Sequence, residues 1–280
     1  MNSALLLTVL LLSVGQIETD PKAQSAARLD FMKKTASRIE IRLEGDGQEG
    51  NGQAKVELTD KPVVRWDNPR SFVVDAATFV WMSDHRPQVI GGVWIKNGVS
   101  HIDLQSLAPG PLTATVDGRR AWSPARPGMT WNVIPNAHPP AASRGERLRQ
   151  MKTLAQDFGV HAIKNAPDYD EGSLWEFRMM SQPIHRYAAE AAVDGAIFAF
   201  AQGTDPEAFL LIESRAERGM AQWHFGFAAA CGWELHGKLG DREVWLRPSA
   251  RQRKPEDGYA VIGPFSVDPK LLPADLRKAD

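Results

Sequence analysis

Cysteine is almost absent from this chain. Cys231 is the one cysteine among 280 residues, so no disulfide can form within the chain and a disulfide-stapled scaffold is excluded. It follows three alanines and precedes Gly232 and Trp233. This setting is more typical of a small buried hydrophobe than of a reactive thiol.

Net charge and local catalytic motifs are also lacking. Lys plus Arg number 33 and Asp plus Glu number 34, which gives a formal net charge of -1. Such a chain has no overall field that attracts nucleic acid, so we predict no nucleic-acid partner. The sequence has no Gly-x-Ser-x-Gly elbow, no His-Glu-x-x-His and no Cys-x-x-Cys, and we predict no cofactor. Catalytic triads are assembled in space, so an enzyme with dispersed residues is still allowed.

Long hydrophobic runs are missing apart from one near the N-terminus. Residues 4–14 are almost unbroken apolar, which is the length of a signal-peptide core and too short to span a bilayer. Residues 1–3 carry no Lys or Arg, so a buried N-terminal strand or helix is the alternative. We predict a signal peptide over residues 1–18, export to the periplasm or the outside, and no transmembrane segment after leader cleavage.

The chain resembles itself at a nearly constant shift. At a shift of 119 residues, the matches include Arg28 with Arg147, Met32 with Met151, Asp75 with Asp194 and Pro87 with Pro206. At shifts of 121 and 123, Arg65-Trp66 meets Arg186-Tyr187 and Trp122 meets Trp245. Two sheets of similar periodicity can align by pattern alone, but identical Arg, Asp and Pro positions are not part of that pattern. We predict an internal repeat with four parts after the leader: 21–124 as the first copy, 125–142 as a proline-rich linker, 143–248 as the second copy and 249–280 as a C-terminal extension.

Each copy is predicted to open with a helix and continue in antiparallel strands. An apolar stripe predicts a helix over 21–37, and Ser143 with Glu146 forms a capping box for a second helix, which we expect to end at Gly159. The fold class is therefore predicted to be α+β: two tandem degenerate repeats, each one helix packed on a curved antiparallel β-sheet in a meander. This is the element order of cystatin-like and NTF2-like folds.

Two hairpins are predicted within these copies. Apolar runs at 72–81 and 89–95 flank one turn, and runs at 196–201 and 208–212 flank another. Both turns carry charged tips, Asp84-His85-Arg86 and Thr204-Asp205-Pro206-Glu207. Charged tips can bind partners, although this composition is also ordinary for turns.

The candidate site residues are Trp94, Trp223, His101, Asp103 and His224. His101 and Asp103 share one face of a predicted strand and are possible metal ligands, which His224 and His236 could join from the second copy. A polar outward strand face explains the same pattern, and we predict no metal site. Nine tryptophans are present; an exposed indole can stack on a sugar ring, whereas packing in the core is the alternative for most of them.

Short motifs along the chain resemble a known group. They are Arg65-Trp66-Asp67-Asn68-Pro69, Phe79-Val80-Trp81, Gly110-Pro111-Leu112, Ala121-Trp122-Ser123-Pro124, Arg147-Leu148-Arg149-Gln150-Met151 and Gln202-Gly203-Thr204-Asp205-Pro206-Glu207. On these motifs the chain resembles a family of uncharacterised exported proteins of planctomycete bacteria. The resemblance extends through residue 214 and implies a bacterial, exported setting, with no activity and no site residue.

These observations predict an exported binding or interaction protein of the cell envelope. Its partner, an unknown protein or a glycan, is expected in the groove between the copies. A hydrolase-like enzyme with dispersed His and acidic residues in that cleft is the alternative. Exposed tryptophans at the groove favour the binding protein, and convergence of His101, Asp103 and a second-copy histidine favours the enzyme.

Overall fold

The computed structural model describes residues 20–44, 55–164, 172–189, 194–217, 219–249 and 256–273. The expected leader over residues 1–18 lies outside these ranges. Among the helices that the structure describes, none has the length and apolarity needed to cross a membrane.

The described chain has two α-helices, α1 (Pro21–Ser37) and α2 (Arg144–Ala155). The first half contains β1 (Ile39–Leu43), β2 (Lys55–Leu58), β3 (Val64–Asn68), β4 (Val73–Ser83), β5 (Arg86–Lys96), β6 (Val99–Ser106), β7 (Leu112–Val116), β8 (Arg119–Trp122) and β9 (Asn132–Val133). The second half contains β10 (Phe158–Lys164), β11 (Ser173–Met179), β12 (His185–Tyr187), β13 (Asp194–Gln202), β14 (Asp205–Glu217), β15 (Met220–Ala229), β16 (Glu234–Leu239), β17 (Arg242–Arg247) and β18 (Tyr259–Ser266).

The strands form two antiparallel sheets of nine strands each. The first has the order β18-β6-β5-β4-β2-β1-β7-β8, with β3 also paired to β4. The second has the order β9-β15-β14-β13-β11-β10-β16-β17, with β12 also paired to β13. Read in these directions, the two strand orders are equivalent, so that each strand from β6 to β8 in the first order has a counterpart at the same place in the second. One edge of each sheet is formed by a strand from the other half of the chain: β18 joins the first sheet and β9 joins the second.

The fold class predicted from the sequence is wrong. Strands hold 54% of the residues that the structure describes and helices 16%, and each sheet is strongly curled. The protein is therefore mainly β and is not built of tandem helix-on-sheet repeats. The expected meander is present only in part: β4, β5 and β6 pair consecutively, as do β13, β14 and β15, but β1 lies between β2 and β7 and β7 does not neighbour β6.

Burial of the central strands on both faces explains the difference. Almost every residue of β4 is buried, where a one-sided sheet would alternate. Phe79 and Trp81 lie in the core beneath α1, whereas Val80 faces the second sheet and packs with Ile197 and Leu211. One helix of 17 residues covers only part of a nine-stranded sheet. The sheet therefore curls around its own core, and its other face is covered by the second sheet.

Two element boundaries also differ from the sequence analysis. The capping box of α2 is present, since Glu146 N donates to Ser143 Oγ at 3.2 Å. However, α2 ends at Ala155 and Gly159 lies inside β10. The extension contributes β18, and the expected linker contributes β9, which pairs with β15.

One buried aspartate joins each helix to its sheet. Asp75 and Asp194 are 5% and 4% exposed. Each accepts from one helical arginine and one strand arginine, with shortest N–O distances of 2.6 to 2.9 Å; the pairs are Arg28 and Arg65 on Asp75, and Arg147 and Arg186 on Asp194. These are the Arg and Asp positions that matched at shifts of 119 and 121 in the sequence.

We expect Asp194→Ala to lower the free energy of unfolding by about 3 kcal/mol, because two arginines would lose their shared carboxylate. Urea denaturation measures this loss. The control is Asp30→Ala, which breaks the exposed pair with Lys34 and should cost less than about 0.5 kcal/mol. Equal losses in the two variants would contradict a special role for Asp194.

Candidate functional site

A cleft of about 390 Å³ lies where the two halves of the protein meet, and we call it the open cleft. The first half lines it with residues that include Trp66, Asn68, Trp94, Lys96, His101 and Asp103. The second half lines it with residues that include Lys164, Asp205, Glu207, Cys231, Trp233 and Tyr259.

The tip of the β13–β14 hairpin forms one wall. Gly203 adopts a positive φ of 64° in the tight turn between Gln202 and Asp205, a conformation that glycine reaches without strain. Asn68 Nδ2 then donates to Asp205 Oδ2 at 2.7 Å, and Thr204 Oγ1 donates to the Asp67 carbonyl at 3.1 Å. These bonds attach the tip to β3 of the other sheet and fix the Asp205 carboxyl group at the cleft.

Three half-buried indoles line the cleft. Trp94 stacks on His101 of the neighbouring strand, with ring centroids 4.5 Å apart and planes 19° from parallel. Trp66 Nε1 donates to Thr78 Oγ1 at 3.2 Å, which fixes that ring on β3. Trp233 belongs to the second half and lies 5.2 Å from the ammonium group of Lys164. The cleft therefore has aromatic surface from both halves.

A close backbone approach positions Asp103. The Gly92 amide donates to Asp103 Oδ1 at 2.5 Å, and a Cβ on Gly92 would lie only 2.9 Å from the same oxygen. A larger residue at position 92 would therefore displace the carboxylate. Tyr259 of β18 donates to Asp103 Oδ2 at 3.5 Å. The added edge strand thus helps to orient a cleft residue.

Lys164 and Glu207 form a buried ion pair beside Cys231. Their side chains are 3% and 6% exposed, with Nζ and Oε1 3.8 Å apart. Lys164 Nζ also donates to Gln202 Oε1 at 3.2 Å. Burial and the neighbouring Glu207 carboxylate raise the pKa of the Cys231 thiol well above its usual value, so the thiol stays protonated and is a poor nucleophile.

Asp205 has a strongly raised pKa. Burial and the adjacent Glu207 carboxylate raise it to about 8, and Asp103 adds to the effect; the hydrogen bond from Asn68 and the charge of Lys164 oppose it. Burial also raises the pKa of Glu207, against the opposing charge of Lys164. At neutral pH Asp205 therefore keeps its proton, because burial and the neighbouring carboxyl groups outweigh the charge of Lys164.

The strand pairings identify a second position that corresponds to the open cleft. In the first hairpin Ser83 pairs with Arg86, as Gln202 pairs with Asp205 in the second. Trp94 pairs with His101 in the first sheet, as Glu213 pairs with His224 in the second. By the same registers, Trp66 corresponds to Tyr187.

This second position is filled by the chain itself, and we call it the sealed position. Arg86 donates to both oxygens of Glu213 at 3.2 and 3.1 Å, and Tyr187 Oη donates to Glu213 Oε1 at 2.6 Å. Arg215 donates to Glu213 Oε2 at 2.7 Å. The guanidinium groups of Arg86 and Arg215 lie 5.5 and 3.8 Å from the Trp131 ring centre. Carboxylate, guanidinium and indole groups of the chain thus contact one another at this position.

The structure separates the five candidate residues of the sequence analysis. Trp94, His101 and Asp103 line the open cleft. Trp223 is 1% exposed in the core beneath α2, and His224 is 3% exposed opposite Glu213. His236 stacks on His161 and contacts Glu243 Oε2 at 2.7 Å. No second-half histidine lines the open cleft, and the described residues hold no group of three or more metal-ligating side chains.

Asp205, Glu207 and Lys164 were missed as site residues. The sequence analysis placed Asp205 and Glu207 at a charged hairpin tip and favoured an ordinary turn. Two acidic side chains two residues apart at the start of an otherwise apolar strand were the available signal. Lys164 gave no signal, because its burial depends on partners 38 and 43 residues away in the chain.

In comparisons with known proteins, no family model, no curated protein and no solved structure matches this chain. The functional argument therefore depends on the geometry of the open cleft.

The raised pKa of Asp205 predicts a pH-dependent stability. An unfolded Asp loses its proton near pH 3.9, whereas folded Asp205 holds it to about pH 8. The folded state binds more protons in this window, so this group lowers stability as pH rises from about 4 to 8. We expect Asp205→Asn to gain stability relative to the parent over that range in urea denaturation. A difference that is constant with pH would contradict the raised pKa.

Proposed function

We propose that this is an exported binding protein whose ligand enters the open cleft. The observation that carries the proposal is that Trp66, Trp94 and Trp233 line one cleft together with carboxyl groups. Binding sites for small molecules are concave, contain aromatic surface and have a few fixed polar groups. The open cleft has each of these features, and its two sides come from the two halves of the chain.

A strained aromatic residue at the rim supports the same proposal. Phe72 has a φ of 59°, which is rare for a bulky residue, and 65% of it is exposed. Its neighbours Ser71 and Val73 both line the cleft. An exposed ring held in a strained conformation beside a cleft suggests a role in contacting ligand.

A hydrolase-like enzyme is the second candidate, and one observation favours it. Asp205 keeps its proton near neutral pH beside the Glu207 carboxyl group, and a carboxylic acid with a raised pKa can act as a general acid. The sequence analysis expected His101 and Asp103 to converge with a histidine of the second half. That arrangement does not support the enzyme, because neither His224 nor His236 lines the cleft.

We expect Trp94→Ala to weaken ligand binding at least tenfold, because it removes one aromatic wall. The protein from residue 20 onward is screened by thermal shift against neutral and charged glycans, small amines and zinc, and each hit is titrated by tryptophan fluorescence. The matched control is Trp245→Ala, because this half-buried indole stacks on Phe227 outside the open cleft. Equal affinity in Trp94→Ala and the parent would place the ligand elsewhere.

The same ligands distinguish the two candidates. A binding protein leaves the ligands intact, whereas a hydrolase converts them to product. If the protein is a hydrolase, the Asp205→Asn variant should still bind the ligand but should release no product.

Export is tested separately by expression of the full chain in a bacterium with two membranes. We expect the protein in the periplasmic fraction to have lost about 18 N-terminal residues by mass spectrometry, as a signal peptidase would remove them. A full-length protein confined to the cytoplasmic fraction would contradict export.

A further inference from the structure

The charges that line the open cleft balance one another near neutral pH. Two ammonium groups, from Lys96 and Lys164, stand against two carboxylates, from Asp103 and Glu207, while Asp205 holds its proton. A ligand with a net charge would lose its own hydration on entry without finding an excess of the opposite charge, which costs free energy. The cleft therefore favours a ligand that is uncharged.

The polar groups of the cleft both donate and accept hydrogen bonds. Carboxylates accept, ammonium groups donate, and an amide or a protonated carboxyl group does both. Asp205 Oδ2 accepts from Asn68 Nδ2 at 2.7 Å, and this is the one side-chain hydrogen bond of Asp205 among the described residues. Its Oδ1 is therefore able to bond a ligand. Hydroxyl groups, which also donate and accept, match such a lining.

Indole surface supplies the apolar part of the cleft. Trp66 and Trp94 come from the first half and Trp233 from the second, and all three are half-buried. Trp94 is fixed by its stack on His101, and Trp66 by its hydrogen bond to Thr78. The rings are thus ordered before a ligand arrives, so that binding to them costs little conformational entropy.

The size of the cleft limits the ligand. Its volume of about 390 Å³ equals that of about thirteen water molecules, at about 30 Å³ each in the liquid. This is room for a sugar of one or two rings, and a longer chain would extend beyond the cleft.

We propose that the open cleft binds an uncharged carbohydrate, with a pyranose ring against Trp94 and hydroxyl groups bonded to Lys96 and Asp205. The inference rests on the proposed binding function and names its ligand class. Trp94 and Lys96 lie two residues apart on β5 and share one face of the strand. A pyranose ring has apolar C–H groups on its faces and hydroxyl groups around its edge, so it uses the indole and the polar groups together. A purely apolar ligand would leave the polar groups of the cleft without water and without partners.

The carboxyl group of Asp205 gives sugar binding a dependence on pH. A neutral sugar displaces water from the cleft, and the loss of water favours the uncharged form of the carboxyl group. The groups that face Asp205 are Asn68 from β3, Asp103 from β6, Lys164 from β10 and Glu207 from β14, and together with burial they set its pKa at about 8. Sugar affinity should therefore be constant from pH 6 to 7 and fall by up to about tenfold for each pH unit above pH 8. A cationic ligand would show the opposite trend, because it favours the carboxylate.

The test is titration of the protein with cellobiose, lactose, mannobiose and N,N′-diacetylchitobiose, followed by tryptophan fluorescence and by calorimetry. The tightest binder is then compared at pH 7 with its uronic acid and its amino-sugar form, which add a negative and a positive charge to the same ring. We expect a dissociation constant below about 1 mM, a blue shift of tryptophan emission, and at least tenfold weaker binding of both charged forms. A charged form that binds more tightly than the neutral sugar would overturn the uncharged class.

Three variants locate the sugar in the cleft. Trp94→Phe keeps a flat ring and should restore most of the affinity that Trp94→Ala loses. Lys96→Met keeps the length of the side chain without its donors and should weaken binding about fivefold. Asp205→Asn cannot release a proton, so the fall in affinity above pH 8 should disappear. Thermal midpoints check that each variant folds, and Trp245→Ala is again the control outside the cleft.

The outcomes separate this inference from the binding function on which it rests. If choline, benzoate or another charged ligand binds in a Trp94-dependent way and none of the disaccharides does, the carbohydrate proposal is wrong and the binding function stands. If the disaccharides bind equally well to the parent, to Trp94→Ala and to Lys96→Met, the open cleft is not the site and both proposals fail. Both also fail if no disaccharide and no charged ligand binds more tightly than about 10 mM.

Discussion

The central hairpins of this protein are buried on both faces, and the positions of the other elements depend on this constraint. Side chains alternate across a strand, so a strand that is apolar on both sides needs two covers. In β4 and β5 one face packs beneath α1 inside the curled sheet, and in β13 and β14 one face packs beneath α2. The remaining faces cover each other, because Val80 and Ile90 pack with Ile197, Phe209 and Leu211.

This packing also places the hairpin tips. Each tip extends to the other half, where the tip of the second hairpin contacts Asp67 and Asn68 and the first contacts Glu213. Two corresponding positions result, and they differ in chemistry. The sealed position combines two arginines with one carboxylate, whereas the open cleft combines three carboxyl groups with two lysines. The sealed position is filled by the arginines that pair with Glu213, whereas the open cleft keeps a volume of about 390 Å³ beside its Lys164–Glu207 pair.

The sequence analysis was most accurate where local chemistry decides the outcome. The helix over Pro21–Ser37 and the Ser143 cap follow from helix periodicity and capping, which depend on neighbours within a few residues. The two hairpins follow from apolar runs around charged turns, and both are paired antiparallel in the structure. The fold class was wrong because an apolar run does not reveal what covers it. A helix and a second sheet exclude water equally well.

The same distinction between local sequence pattern and tertiary packing applies to the candidate site. Both hairpins, most of the central strands and the recurring Arg and Asp positions could be predicted from the sequence, since these depend on short-range pattern and identity. It also placed His101 and Asp103 on one strand face, which is a consequence of the period of two. The packing of the two sheets determines that Trp94 lines a cleft while Trp223 is buried beneath α2, and that Asp205 and Lys164 belong to that cleft. Exposure and pKa depend on groups more than a hundred residues apart in the chain, which the packing of the two sheets brings together.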